Sequence, residues 1–340
     1  MKINPSSFSI LVLLIFICIA GVSQEPLITQ TRFANLSRNP ALAGHQVDDI
    51  KLSICFHHQI KTVLIPYKYS QIQIESRFKE KESENGFTIG AIIRYDEAGE
   101  KKLKRAQFLP VLNFHKSLSD LKISYLSMGF MTGIFKTQFD PNSLPVIRNY
   151  NPIPFNPNSP VPQDLLSKSS SYIDFSTGIS LYTELNQRIF LTLGAALFHF
   201  NQNALKQFAT IPKTPREWVI NTGFRLNNYN YSFQLISDIR IQNNTAKFFC
   251  ASILGIPIHR NFLDQVTEIQ MGIDINSSRE FSPSISVKLP DILFSCSYNL
   301  LLGKQKGIPI LRNSIETNIA FHFNCHQRNK EAEKMHCYSH

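Results

Sequence analysis

The 340-residue chain is 43% apolar and 18% charged, with 35 Lys and Arg against 25 Asp and Glu and a net charge of +10. That balance excludes a disordered chain, and after residue 23 no run approaches 18 unbroken apolar residues, which excludes a helical membrane protein. The basic residues are scattered through turns and loops, with no basic helix or RNA-reading aromatic motif, so the excess suits anionic lipid or polysaccharide at a cell surface and not nucleic acid.

Met1 to Ser23 reads as a secretory signal, with Lys2 as the positive region, Ile10 to Ala20 as the apolar core and Gly21-Val22-Ser23 before the cut. Cys18 does not make a lipoprotein signal, because Ile17 stands where a small residue is needed. The expected organisation is a signal over 1–23, a plug segment over 24–50, a barrel over 51–323 and a polar tail over 324–340.

Phe33 to Gly44, FANLSRNPALAG, has neither a helical stripe nor strand alternation. Its Asn39-Pro40 step and closing Gly44 favour turns, while Phe33, Leu36, Ala41, Leu42 and Ala43 favour burial. A buried irregular backbone must find hydrogen-bond partners in surrounding protein, so the segment is expected to plug a lumen. Arg32 and Arg38 are available to pair there with luminal Glu75, Glu268 or Glu316.

From residue 51 onward the recurring signal is alternation with period two. Ile72, Ile74 and Phe78 share one face, and Gln71, Gln73, Glu75 and Arg77 the other. Ile269, Met271, Ile273 and Ile275 oppose Glu268, Gln270, Gly272 and Asp274; Ile315, Ile319, Phe321 and Phe323 oppose Ser314, Glu316, Asn318 and His322. Fourteen strands are expected, near 51–58, 68–78, 86–95, 107–115, 123–135, 173–182, 189–200, 217–226, 229–237, 245–254, 266–275, 282–289, 292–300 and 314–323. Their length, about ten residues, suits tilted strands crossing a bilayer, and an even antiparallel count closes a barrel with both ends on one side. The fold class is therefore all-β, a transmembrane antiparallel barrel with an N-terminal segment in its lumen. The same alternation fits a secreted β-sandwich, against which the plug-like start weighs.

With the N-terminus periplasmic, the long connections 96–106, 136–172, 201–216 and 301–313 face outside. Asn227-Asn228 and Pro290-Asp291 read as tight inner turns, and 255–265 as a long inner exception. The longest outer loop offers Phe139, Tyr150 and Phe155 either as partner contacts or as a lid over the mouth.

Chemistry is sparse. The tail carries Cys325, His326, His336 and Cys337, which can be read as zinc ligands, as a disulfide or as incidental residues; the spacing fits no zinc finger and no metal site is expected. Cys55, Cys250 and Cys296 lie in strands as small apolar side chains. His57 and His58 are adjacent on a strand and face opposite ways, His199 is read as an interfacial residue on the Leu193 and Leu197 side, and Asp96, Glu97 and Glu100 as a solvated loop with internal charge pairing. No nucleotide loop, metalloprotease motif or nucleophile elbow occurs, so neither catalysis nor a cofactor is expected.

The Asn39-Pro40-Ala41 segment, GAIIRYDEAG (Gly90–Gly99), YIDFSTGISLY with LGAALFHFNQ (Tyr172–Gln202) and TPREWVINTGFRL (Thr214–Leu226) follow in an order and spacing that resembles the PorP/SprF family. The likeness runs to about Phe323. It implies a non-enzymatic outer-membrane barrel of the type IX secretion and gliding system of Bacteroidetes-type bacteria, anchoring or helping export a large secreted surface protein (an adhesin). A peptidoglycan-associated periplasmic protein is the partner it implies on the other side. The cysteine content and the Cys/His tail depart from the family pattern. The alternative is a FadL-like barrel transporting hydrophobic small molecules, against which the polar sets around Gln71 and Gln270 argue. A lipid hydrolase would need a lipid-facing Ser-His pair, and none is found.

Overall fold

Residues that alternate between apolar and polar can satisfy both only in a wall with lipid on one side and a polar interior on the other. The computed structural model describes residues 28–45, 49–59, 67–80, 85–98, 103–119, 121–138, 169–202, 214–243, 245–260, 266–277, 280–301 and 313–323. The signal, the residues Phe139, Tyr150 and Phe155, and the tail with Cys325, His326, His336 and Cys337 lie outside them.

Fourteen strands form among the described residues: β1 Ile50–Gln59, β2 Tyr67–Lys79, β3 Gly86–Ala98, β4 Leu103–Ser117, β5 Ser124–Gln138, β6 Ser169–Asn186, β7 Ile189–Phe198, β8 Glu217–Asn227, β9 Ser232–Gln242, β10 Thr245–Arg260, β11 Val266–Asn276, β12 Glu280–Lys288, β13 Ile292–Leu301 and β14 Ser314–Phe323. Each pairs antiparallel with its neighbours in sequence, and β14 closes on β1 with Ile50 opposite Phe323. Closure leaves no strand edge, so every ladder is paired without water.

The faces divide as the alternation requires. Ile72, Ile74, Met271, Ile273, Ile275 and Ile315 are exposed on the outside, while Gln71, Gln73, Glu75, Glu268, Gln270, Asp274, Glu316 and Asn318 are buried inside. Exposed aromatic residues gather at both rims, with Phe78, Phe87, Phe114 and Phe323 at one and Tyr95, Phe108, Phe175 and Trp218 at the other. This is the girdle pattern of outer-membrane barrels, in which amphipathic rings sit at the lipid headgroups.

One end of the barrel carries short connections: 80–85, 118–123, 187–188, 228–231, 261–265 and 289–291. The other carries the long connections 139–168, 199–216 and 302–313 and the short ones 60–66, 99–102, 243–244 and 277–279, so the long outer loop expected over 96–106 is not one. The asymmetry remains a tendency: β10 continues to Arg260 and shortens the supposed inner exception, while short links also occur at the long-loop end. Strands β3, β4 and β6 also outrun their expected bounds. Past the bilayer depth their residues turn polar, and polar ladder looks like loop. Asp96 and Arg105 are a case in point: they are not in a solvated loop but opposite each other on β3 and β4. The turn expected at Asn227-Asn228 sits two residues later, where Asn228 N donates to Tyr231 O at 2.9 Å. At the next such turn Leu289 N donates to Ile292 O, which leaves Pro290-Asp291 as the two-residue loop.

Ile273 lies midway along β11 and is 45% exposed on the outer face. Ile273→Arg is expected to cost about 2–4 kcal/mol in reversible folding into lipid vesicles. An unchanged folding midpoint would mean that this face does not meet hydrocarbon.

Candidate functional site

Inside the ring lies the irregular segment. It consists of a 3-10 turn Thr31–Phe33, one helical turn Asn35–Arg38 and a second 3-10 turn Pro40–Leu42. Asn39 separates the last two in an extended conformation, and its side chain caps the turn that follows by accepting from Ala41 N at 2.8 Å. Pro40 suits the first position of that turn because its missing N–H would have no partner there. The segment runs lengthwise. Ile28 packs with Cys55 and Tyr69 in the half of the lumen toward the long loops, while His45 meets Tyr125 and Tyr182 at the end with short turns. So β1 starts at the short-turn end, as expected of a periplasmic start, but residues 28–31 lie toward the opposite end.

Most of the segment's exposed backbone groups are met by luminal side chains. Glu316 accepts from Thr29 N at 2.8 Å and Gln30 N at 3.0 Å. Gln73 donates to Phe33 O, Arg240 to Ser37 O, Asn113 to both Ala41 O and Ala43 O, and Arg77 to Gly44 O. Glu75 accepts from Gly44 N at 2.9 Å. Two of the carboxylates expected to pair with arginine, Glu75 and Glu316, are therefore taken by backbone N–H groups, and the third, Glu268, accepts from Gln270 Nε2 at 2.8 Å. Arg38 instead makes a two-pronged pair with Asp238, both bonds 2.7 Å, and Asp238 also accepts from Asn221. Arg32 reaches Gln270 at 2.6 Å and the hydroxyls of Ser286 and Ser295, and its guanidinium lies 5.0 Å from the Phe33 ring. Burial pushes the Arg32 guanidinium down to about 10, with Asp274 pulling the other way, so it remains charged at neutral pH.

Asn39, wholly buried, donates to Ile179 O at 3.1 Å, Ala195 O at 3.3 Å and Asn221 Oδ1 at 3.0 Å. It gets that close because the wall beneath it has no side chains. A Cβ at Gly178 would lie 2.0 Å from Asn39 Oδ1, and one at Gly129 would lie 2.3 Å from the Pro40 carbonyl carbon. Gly129 and Gly178 face each other across β5 and β6. Sequence reasoning missed this glycine floor, although a glycine inside a strand is itself a signal of close backbone approach. Gly44 closes the segment at φ 70, where other residues are strained.

Above the plug, toward the long loops, a pocket opens between Ser37 and the strand ends. Two ion pairs line it, Arg105 with Asp96 at 3.1 Å and Arg240 with Glu217 at 3.1 Å, beside a hydrogen bond between His199 Nδ1 and Asp174 at 2.8 Å. His199 is not on the lipid side. It follows β7 at φ 55, and that left-handed step turns its ring inward against the alternation. The pocket floor is apolar, made by Leu109, Met131, Phe135 and Phe198, part of a buried cluster that includes Leu36 of the plug. The interior is thus mixed. Its apolar sector lies on β3–β8, away from the strands whose alternation is clearest. Among the described residues no group of three metal-ligating side chains converges, and the thiols of Cys55, Cys250 and Cys296 are free.

His45 closes the lower end. Ser180 donates to Ala41 O, so it accepts from His45 Nε2, which leaves Nδ1 bare and buried without a partner. Burial, with His115, Arg77 and Arg38 nearby, holds His45 well below 6.5. The unfolded chain therefore binds a proton that the folded one refuses, and stability is lost as pH falls below about 6.5. His45→Gln should flatten that slope in thermal unfolding of the detergent-solubilised protein; an unchanged slope would exclude His45 as its source. Gly129→Ala should lower stability by about 1–3 kcal/mol and expose the plug to protease. Gly223→Ala, whose Cβ meets only Thr192 at 3.2 Å, should not.

Among solved structures the chain is similar to a FadL homologue of Pseudomonas aeruginosa, at 8% identity over 84% of this chain and 93% of that one, with a TM-score of 0.48. The Pseudomonas putida toluene transporter TodX is similar at 7% identity over 89% and 95%, with a TM-score of 0.47. No curated protein matches the sequence. The model of the type IX secretion system membrane proteins PorP/SprF matches residues 20–320. The stretches that resemble that family in the sequence meet around the plug and the pocket: Arg94 and Asp96, Asp174 and His199, Glu217 and Asn221. The chain belongs to the PorP/SprF family of type IX secretion system membrane proteins.

Proposed function

We propose that this barrel anchors a large secreted surface protein at the outer membrane of a Bacteroidetes-type cell and connects it to periplasmic components of the same system. The observation that carries this reading is the filled lumen. A segment whose backbone is hydrogen-bonded to the wall along its length, locked by Arg38–Asp238 and seated on a glycine floor, leaves little route for a chain or solute to cross. A closed barrel with a recessed pocket and long loops on one end serves better as a holdfast than as a conduit. The contact surface assigned to it includes Phe139, Tyr150 and Phe155 in the loop between β5 and β6, and the signal over 1–23 delivers the chain across the inner membrane. The apolar sector of the pocket favours the second reading, a FadL-like carrier of hydrophobic molecules.

Pull-down of the tagged protein from native outer membrane in mild detergent separates the two. Co-purification of a large surface protein, lost when residues 139–168 are replaced by a short linker, is the expected result. Residues 136–138 and 169–171 stay, because β5 and β6 pair through them. Recovery of the barrel alone, carrying acyl lipid, would contradict anchoring.

A further inference from the structure

The plug does not enter and leave the lumen at the same end. At its start, Asn299 donates to Thr29 Oγ1 at 2.9 Å and to Ser314 Oγ, in the first residue of β14, at 3.0 Å. Ile28 lies in a buried cluster against which Tyr67, the first residue of β2, packs. Both contacts stand where strands meet the connections 60–66 and 302–313, at the long-loop end. At its close, Arg77 donates to Gly44 O at 3.0 Å and Tyr125 to His45 O at 3.4 Å, beside the 80–85 and 118–123 turns. Ile50 then begins β1 at that same short-turn rim. Residues 28–45 therefore cross the whole ring, and the chain upstream of Ile28 starts from the side away from β1.

Length decides where the mature terminus can sit. Cleavage after Ser23 leaves only Gln24, Glu25, Pro26 and Leu27 ahead of Ile28. Four residues reach about 14 Å at full extension. The apolar band of an outer-membrane barrel is about 25 Å tall, so these four cannot return to the other side. The plug also occupies the way back, with its backbone bonded to the wall at Glu316, Gln73 and Asn113. The other terminus obeys the ring: β14 ends at Phe323, opposite Ile50, at the short-turn end. An even strand count alone would leave both chain ends on one side. A single passage through the lumen separates them.

We propose that the mature N-terminus lies on the outer face of the barrel, at the end with the long loops, while the C-terminus lies in the periplasm. The leader must then be cut before the ring closes, because an attached leader would be carried to the outer face, away from the inner membrane that holds it. The terminus also joins residues 139–168 on the side that meets a surface partner. The proposal rests on the signal and the orientation used in the anchoring reading, and each has its own readout.

The test treats intact cells producing the full chain with a membrane-impermeant polyethylene-glycol maleimide, read as a gel shift. E25C marks the N-terminus, and the native Cys325 and Cys337 mark the C-terminal tail. E25C should gain one label in intact cells and the unmodified protein none. The tail thiols should react only after the outer membrane is opened in reducing buffer. If E25C does not assemble, an epitope tag inserted after Gln24 and probed by antibody on intact cells replaces it. Reaction of E25C only in opened cells, or reaction of the tail thiols in intact ones, would overturn the proposal. Mass spectrometry of the purified chain should find Gln24 as its first residue, and a retained leader would also overturn it. A captured surface protein on a barrel whose N-terminus is periplasmic would sink this topology and leave anchoring intact. Outside label with no captured protein would do the reverse.

Discussion

A closed ring of fourteen strands encloses more space than its own side chains fill, and its inward wall is studded with charge. Those charges cannot stay dry and unpaired, since an isolated buried ion is among the costliest features a fold can hold. The segment from Ile28 to His45 resolves this. It brings backbone N–H groups to Glu316 and Glu75, backbone carbonyls to Gln73, Asn113 and Arg77, and one guanidinium to Asp238. Wall and plug are each the other's solvent. Neither is stable as drawn without its partner.

That mutual dependence explains why the plug is irregular. A regular helix would satisfy its own backbone and leave the luminal side chains unmet, whereas two 3-10 turns and a single helical turn leave many groups to share. The tightest contact is where the wall is smoothest, at Gly129 and Gly178 beneath Asn39 and Pro40. From there the chain Asn39–Asn221–Asp238–Arg38 links the turn to β8 and β9, and its bonds onto Asp238 are charge-assisted, the stronger kind. Removing Arg38 alone would strand Asp238, a loss of about 3–5 kcal/mol for a broken buried pair.

Much of this was legible in the residues. Period-two alternation placed all fourteen strands and told inside from outside, because lipid and lumen demand opposite polarity at successive positions. The Asn39-Pro40 step and Gly44 pointed to a turn-rich buried segment. Which luminal group meets which plug group was not legible. Arg38 finds Asp238 and not a glutamate because strand register decides what stands at its height, and register is not written in local pattern. His199 points inward because of one left-handed residue, and the apolar sector on β3–β8 escaped notice because it interrupts polar alternation. The charged groups at the pocket lie at the aromatic rim, beside Tyr95, Phe175 and Trp218, where strand and loop look alike.

The family relation gives this chain its system, and the filled lumen gives it a mode of action within that system: a wall that holds, with its chemistry gathered on the face toward the long loops. The central claim is that the lumen is sealed. Single-channel recording of the purified protein in a planar lipid bilayer tests it directly. A silent membrane after verified insertion is the result expected. Discrete ion-conducting steps from the unmodified barrel would contradict the account.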